Sequence, residues 1–276
     1  MVVVGAGTMG AGIAHAYLVA GAGVSLVEVD PGIAAAVPRR IRSMLDKTVE
    51  RGQVGIDPEE CLARLAVSPE LSAVAEADLV IEAVPEDPGL KARVLSRIEA
   101  GTEGRAVIAS NTSSISIDHL AASLRRPERL VGMHFFNPVP ASLFVEVVRG
   151  AASSEEAVET AVRWVGLAGK EIVLVRDSPG FASSRLGVLL GLEAIRMLEE
   201  GVASAEDIDK AMTLGYKHPI GPLHLGDLVG LDVRLAIAEY LNERLGERFA
   251  PPRLLRDMVA AGHLGRKTGR GFFAYR

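Results

Sequence analysis

The stretch VVVGAGTMGAGIA, residues 2–14, decides how the rest of the chain is read. A β-branched run ends at Val4, and Gly5-x-Gly7-x-x-Gly10 follows at once, opening an apolar helical pattern. In such a turn Gly5 serves the tight reversal and Gly7 lets the backbone come close to a pyrophosphate. Gly10 permits close packing of helix on strand, and the helix N-terminus turns its N–H groups toward the anion. Thr8 and Met9 lie between the last two glycines and join the candidate cofactor contacts. The next β-run, VSLVEVD, brings Glu28 to a position 21 residues after Gly7. A carboxylate there holds the adenosine ribose hydroxyls and repels a 2′-phosphate, which points to NAD rather than NADP. Asp30 is a rival for that role.

Outward from this turn, short apolar runs alternate with helical patterns as far as Arg176. The runs are Val2–Val4, Val24–Val29, Asp78–Val84, Ala106–Ala109, Leu130–Phe135, Leu143–Val148 and Glu171–Val175. Several are continuous rather than alternating, as in strands buried on both faces. Strand–helix–strand alternation predicts an α/β fold of the Rossmann type, with a doubly wound, mostly parallel sheet. After Asp177-Ser178-Pro179-Gly180 the β-runs stop. Leu186, Leu189, Leu190, Ala194, Met197 and Leu198 share one helical face, as do Leu228, Leu231, Leu235, Ala238 and Leu245 further on. The reading is a nucleotide-binding domain over residues 1–178 and a smaller all-α domain over 179–276.

Composition narrows the function classes. Of 276 residues, 49% are apolar and 24% charged, the figures of a globular chain with a core. A net charge of −5 gives no global basic field for nucleic acid or an acidic membrane. The single cysteine, Cys61, forms no internal disulfide or cysteine cluster, and no histidine shows metal-ligand spacing. The opening MVVVGAG has no basic n-region or apolar h-region, so a cytoplasmic location is expected.

Three segments bear chemistry. Ser110-Asn111-Thr112-Ser113-Ser114 follows a strand run, at the end of the sheet where ligands bind in open α/β folds. GMHFFNPVP sets His134 before a Pro-punctuated turn, and LFVEVV returns with Glu146 among apolar neighbours. A carboxylate so placed is costly to bury unless it is paired, and a histidine 12 residues earlier is a plausible partner. A His–Glu dyad would make His134 a general base. A core histidine with an unrelated carboxylate fits the same spacing, so the residues alone leave both open.

Taken together, VVVGAGTMGAGIA, EAVPED with Lys91 after it, ASNTSS, GMHFFNPVP, VEVV, DSPGF, GPLHLGDLVGLD and GRKTGRGFFAY resemble the 3-hydroxyacyl-CoA dehydrogenase family nearly end to end. The resemblance implies NAD-dependent oxidation of an (S)-3-hydroxyacyl-CoA to the 3-oxoacyl-CoA, or the reverse. It makes His134 the base, Glu146 its partner and Ser113 a donor to the reacting oxygen. Glu86, Lys91, Asn137 and Lys267 match cofactor contacts, and the helical part implies a homodimer. The family's usual Asn in PGF-x-x-N-R is replaced here by Ser184, a substrate-site position. The basic residue usual shortly before the dyad Glu is absent, and Pro85 and Pro88-Gly89 make the stretch around Glu86 unusual. Arg39, Arg40, Arg42, Lys47 and Arg51 form a basic segment suited to coenzyme A phosphates, with Arg51 the candidate contact. Two other readings stand beside this one. One is a dehydrogenase of a 3-hydroxy acid without coenzyme A, gulonate- or carnitine-like. The other is a non-catalytic nucleotide-binding protein of the same fold.

Overall fold

The computed structural model describes residues 1–52 and 55–275. It divides into two compact units, Met1–Ser178 and Pro179–Arg276.

The first unit is a single sheet flanked by helices. Its strands are β1 (Val2–Val4), β2 (Val24–Val27), β3 (Leu65–Ser68), β4 (Leu79–Glu82), β5 (Val107–Ser110), β6 (Leu130–Phe135), β7 (Phe144–Arg149) and β8 (Glu171–Arg176). The helices are α1 (Thr8–Val19), α2 (Pro31–Glu50), α3 (Pro58–Ala63), α4 (Pro88–Gly101), α5 (Ile117–Ala121) and α6 (Glu155–Leu167). Strand order is β3-β2-β1-β4-β5-β6-β7-β8, parallel except where β7 pairs with β6 antiparallel. The chain steps outward from β1 to β3 and then starts again on the other side of β1 at β4. That reversal between β1 and β4 is a topological switch point, the place where such sheets take their ligands.

Burial follows the expected pattern in the middle of the sheet, where Val3, Leu26, Leu79, Ile81, Ile108, Val131 and Val147 are fully buried. It fails at the edge. β8 reads as an apolar run, yet Leu174 is 53% exposed, because an edge strand has a neighbour on one side only. β3 completes the opposite edge and has no counterpart among the apolar runs read from the sequence.

The second unit comprises α7 (Ser183–Glu199), α8 (Ala205–Lys210), α9 (Pro222–Val229), α10 (Leu231–Leu245) and α11 (Arg253–Ala260). Its core stripe on α7 is Val188, Leu192, Ala194 and Ile195, with Met197 and Leu198 packed against it; of the expected face, Leu186 and Leu189 are exposed. The two stripes lie side by side on one helix, and only packing decides between them. The later apolar face is also divided: Leu228 lies on α9, 53% exposed, and Leu231 opens α10 after the break at Gly230. Asp227, 1% exposed, accepts the N–H groups of Phe272 and Phe273 and the Tyr275 hydroxyl, each at 3.0 Å. That carboxylate staples the GRGFFAY segment to α9. No helix among the described residues is long and apolar enough to cross a membrane.

Candidate active site

Register places the site. Val4 on β1, Glu82 on β4, Ser110 on β5 and Gly132 on β6 face one another across four adjacent strands. Each of these strands leaves the sheet in the same direction, so the glycine turn and the loops carrying Glu86, Ser113 and Asn137 gather at one end.

The glycine turn fits a dinucleotide. Gly5 has φ +100°, and a Cβ there would press on the Ala83 backbone; a Cβ at Gly10 would overlap the Gly5 carbonyl. Above Gly7 the space is open, with nothing within 4 Å of where a Cβ would stand. Gly7 is also the N-cap of α1 and offers no side-chain acceptor to the first-turn N–H groups. Thr8 is exposed and Met9 half-buried in that turn. An anion laid against Gly7 therefore meets bare backbone donors at a helix N-terminus. Glu28, one residue past β2, ties the glycine turn to the start of α2. Its Oε2 accepts Ala6 N–H and its Oε1 accepts Asp30 N–H, each at 2.9 Å. Asp30 is spent elsewhere, capping α2 by accepting Ile33 N–H at 2.9 Å.

Beyond β4 lies a buried polar knot that the sequence did not disclose. Lys91 and Glu82 are both 0% exposed, with Nζ 2.8 Å from Glu82 Oε1. Lys91 also donates to the carbonyls of Asn111 (3.0 Å) and Val84 (3.2 Å) and stands 3.4 Å from Glu86 Oε2. Glu82 further accepts the Ser110 hydroxyl at 2.6 Å and Val84 N–H at 2.8 Å. Burial pushes its carboxyl pKa up, against the pull of Lys91 and these hydrogen bonds. Lys91 thus has no surface to offer a cofactor in this structure; it holds the two loops together from beneath. Glu86 sits above it, accepting the Thr112 hydroxyl (2.5 Å) and Ser113 N–H (3.0 Å). Pro88 takes the first helical position of α4 behind the Asp87 cap, two residues after Glu86. Asn111 passes the order on: its Oδ1 accepts Phe135 N–H at 3.0 Å, next to His134.

His134 and Glu146 are register partners across the antiparallel β6–β7 pair. Nδ1 lies 2.7 Å from Glu146 Oε2, with the histidine side chain 7% and the glutamate 0% exposed. The Phe136 ring stands 4.2 Å from the imidazole and stacks on to Phe144. Asn137 is exposed at the head of the loop after β6. That loop is pinned by Lys170, a residue the sequence did not single out, whose Nζ donates to the carbonyls of Val139 (2.8 Å) and Ser142 (2.5 Å).

The other candidates are placed by their own elements. Arg51 is the exposed C-cap of α2. In the second unit, Ser184 is in the first turn of α7, and Lys267 is ion-paired with Asp232 at 2.6 Å.

Family models match both units: the 3-hydroxyacyl-CoA dehydrogenase NAD binding domain over residues 1–178, and the C-terminal domain of the same family over 180–275. The chain belongs to the 3-hydroxyacyl-CoA dehydrogenase family. As a member it carries that family's NAD-binding domain, in keeping with the open glycine turn and Glu28. A 3-hydroxybutyryl-CoA dehydrogenase of Mycobacterium tuberculosis is 42% identical over 277 residues, covering 99% of this chain and 97% of its own. A probable 3-hydroxybutyryl-CoA dehydrogenase of Bacillus subtilis is 41% identical, covering 100% and 96%. Among solved structures, the (S)-3-hydroxybutyryl-CoA dehydrogenase of Ralstonia eutropha is similar at a TM-score of 0.96 and 42% identity, covering 100% of this chain and 98% of that one.

Proposed function

We propose that this chain interconverts an (S)-3-hydroxyacyl-CoA and its 3-oxoacyl-CoA with NAD, acting on short acyl groups such as 3-hydroxybutyryl. The observation that carries the proposal is the buried His134–Glu146 pair beside the loops of a dinucleotide turn. Similar chains along the full length are named for 3-hydroxybutyryl-CoA, which supports the substrate class over a free 3-hydroxy acid.

Bound NAD supplies the hydride acceptor. Gly5, Gly7, Thr8, Met9, Gly10 and Glu28 would hold its adenosine and pyrophosphate; Glu86 and Asn137 would face its nicotinamide half, with Lys91 bracing Glu86. Lys267 and Arg51 keep the roles the resemblance implies, on cofactor and coenzyme A. Glu146 fixes the orientation of the imidazole through Nδ1. Nε2 then takes the 3-hydroxyl proton as C3 loses its hydride, while Ser113 donates to the reacting oxygen. In the reverse direction the same imidazolium returns the proton. Phe136, with Phe144 packed against it, walls the ring with apolar surface, which strengthens the ion pair that forms during reaction. The working form is proposed to be a homodimer built on the helical unit, in the cytoplasm.

NADH oxidation assayed against 3-oxoacyl-CoAs of increasing chain length, beside free 3-oxo acids, tests the substrate. Turnover is expected with acetoacetyl-CoA and not with the free acids. His134→Gln should lower kcat by about 10²-fold or more, in line with loss of a general base, with NADH binding retained. Undiminished turnover in His134→Gln refutes the assignment.

A further inference from the structure

Arg40, in the third turn of α2, crosses to the glycine turn, where Nη1 donates to the Ala6 carbonyl at 3.3 Å. Glu28 holds the N–H of the same residue at 2.9 Å. A guanidinium and a carboxylate thus grip one residue of the dinucleotide turn, yet they form no ion pair with each other among the described residues. Its helix neighbour Arg42 is different, being spent on Asp46 and Glu59. Arg40 is half-buried, and one of its five N–H donors is committed to Ala6. The rest of the fork keeps the planar geometry that matches a phosphate.

We propose that Arg40 is a phosphate receptor held in reserve at the adenosine-ribose end, so that preference for NAD over NADP rests chiefly on the Glu28 carboxylate. A 2′-phosphate entering beside Glu28 meets a fixed negative charge that still accepts from two backbone amides. With that charge removed, the same phosphate meets Arg40, already anchored within hydrogen-bond distance of the turn. The inference rests on the reading that Glu28 marks the adenosine ribose. It adds that the cation an NADP site needs is present, and that one substitution is enough to reveal it.

The test is direct binding, not turnover: titration of NADPH and of NADH by nucleotide fluorescence on the full chain, for the wild type, Glu28→Gln, Arg40→Ala and the double variant. Glu28→Gln is expected to tighten NADPH by roughly tenfold or more, about 1.4 kcal/mol, and Arg40→Ala in that background to abolish the gain. Glu28→Ala carries the same expectation and guards against a folding defect specific to the glutamine. If neither Glu28 variant tightens NADPH, or if the gain survives loss of Arg40, the proposal is overturned. A chain that binds NADH but reduces no 3-oxoacyl-CoA would refute the proposed reaction while leaving this titration decisive.

Discussion

The Glu82–Lys91 pair makes the sharpest prediction about how the site is held. Removing one partner of a buried ion pair costs about 3–5 kcal/mol, because the remaining charge stays out of water unpaired. Here both side chains are 0% exposed and 2.8 Å apart. Lys91→Met leaves Glu82 with the Ser110 hydroxyl and Val84 N–H, and Glu82→Gln leaves Lys91 with two carbonyls and the more distant Glu86. That residual partnering sets each single loss at the low end, about 3 kcal/mol. The double variant strands no charge. It should therefore lose no more than about 3 kcal/mol, against the roughly 6 of the two singles, a coupling of about 3 kcal/mol or more.

The two singles also differ in their response to pH. In Lys91→Met the Glu82 carboxyl loses its cation, so its folded pKa, already raised by burial, climbs further above the unfolded value of 4.5. A folded state that keeps a proton longer than the unfolded chain loses stability as pH rises. The Lys91→Met deficit should be small near pH 4.5 and grow toward neutrality, whereas Glu82→Gln has no such carboxyl to titrate. Urea unfolding followed by Trp164 reads this directly. The chain's only tryptophan lies on α6 of the same unit, its ring 5.6 Å from that of Tyr17. Single variants each within about 1 kcal/mol of wild type, with strictly additive effects, would refute the reasoning and make the pair a solvated one.

Two further outcomes follow from other residues. His15, 3% exposed beside Thr48, has its pKa pushed down to about 4 by burial first and by the charge of Lys170 second. The unfolded chain then takes up a proton that the folded chain refuses, so stability falls as pH drops from 6.5 toward 4, by at most about 3 kcal/mol; urea unfolding across that range should show a shallower acid loss in His15→Gln. Ser184→Asn restores a longer amide donor on α7 and is expected to change kcat/KM for acetoacetyl-CoA by roughly threefold or more, the worth of one neutral hydrogen bond, with the KM for NADH unmoved; identical kinetics would show that the position does not govern the acyl group.

The parts of the fold legible in the sequence were those decided locally. Val2–Val4 and Leu130–Phe135 are apolar runs with turn residues behind them, and they are strands over just those residues. β3 is the short run Leu65-Ala66-Val67 between Arg64 and Ser68, no longer than many stretches inside helices, and only its pairing with β2 makes it a strand. On α7 the sequence offers two adjacent stripes, and a period of 3.6 cannot say which one meets the α9 and α10 side chains. The candidate site divides the same way. Glu28 and the glycines stand in one local motif, and their contacts are backbone contacts. Lys91 could be singled out by position, but its burial depends on Glu82, Val84 and Asn111 converging from two loops, a fact of tertiary structure alone. Lys170 is the plainest case: nothing in AGKEIV marks a lysine that will hold the loop after His134.

The His134–Glu146 contact shows what carries such a site physically. Spacing in sequence cannot bring the two together, since 12 residues of chain can end anywhere; the antiparallel return of β7 can, but only in one register. A slip by one residue would turn Glu146 to the opposite face of the sheet and leave a carboxylate buried without the imidazole. Two positions before His134, and two after Glu146, Gly132 faces Val148. A Cβ on Gly132 would stand 2.7 Å from the Val148 Cβ and 2.9 Å from Ile117. A Cβ there fits neither neighbour as they stand, and a slip of one residue would set Val131 or Met133 opposite Val148 in place of the glycine. The His134–Glu146 pair is therefore held from both ends of the paired stretch: by the steric fit of Gly132 at one, and by Asn111 accepting Phe135 N–H at the other. Neither group is one that would touch substrate, yet both fix the distance that the proposed proton transfer needs.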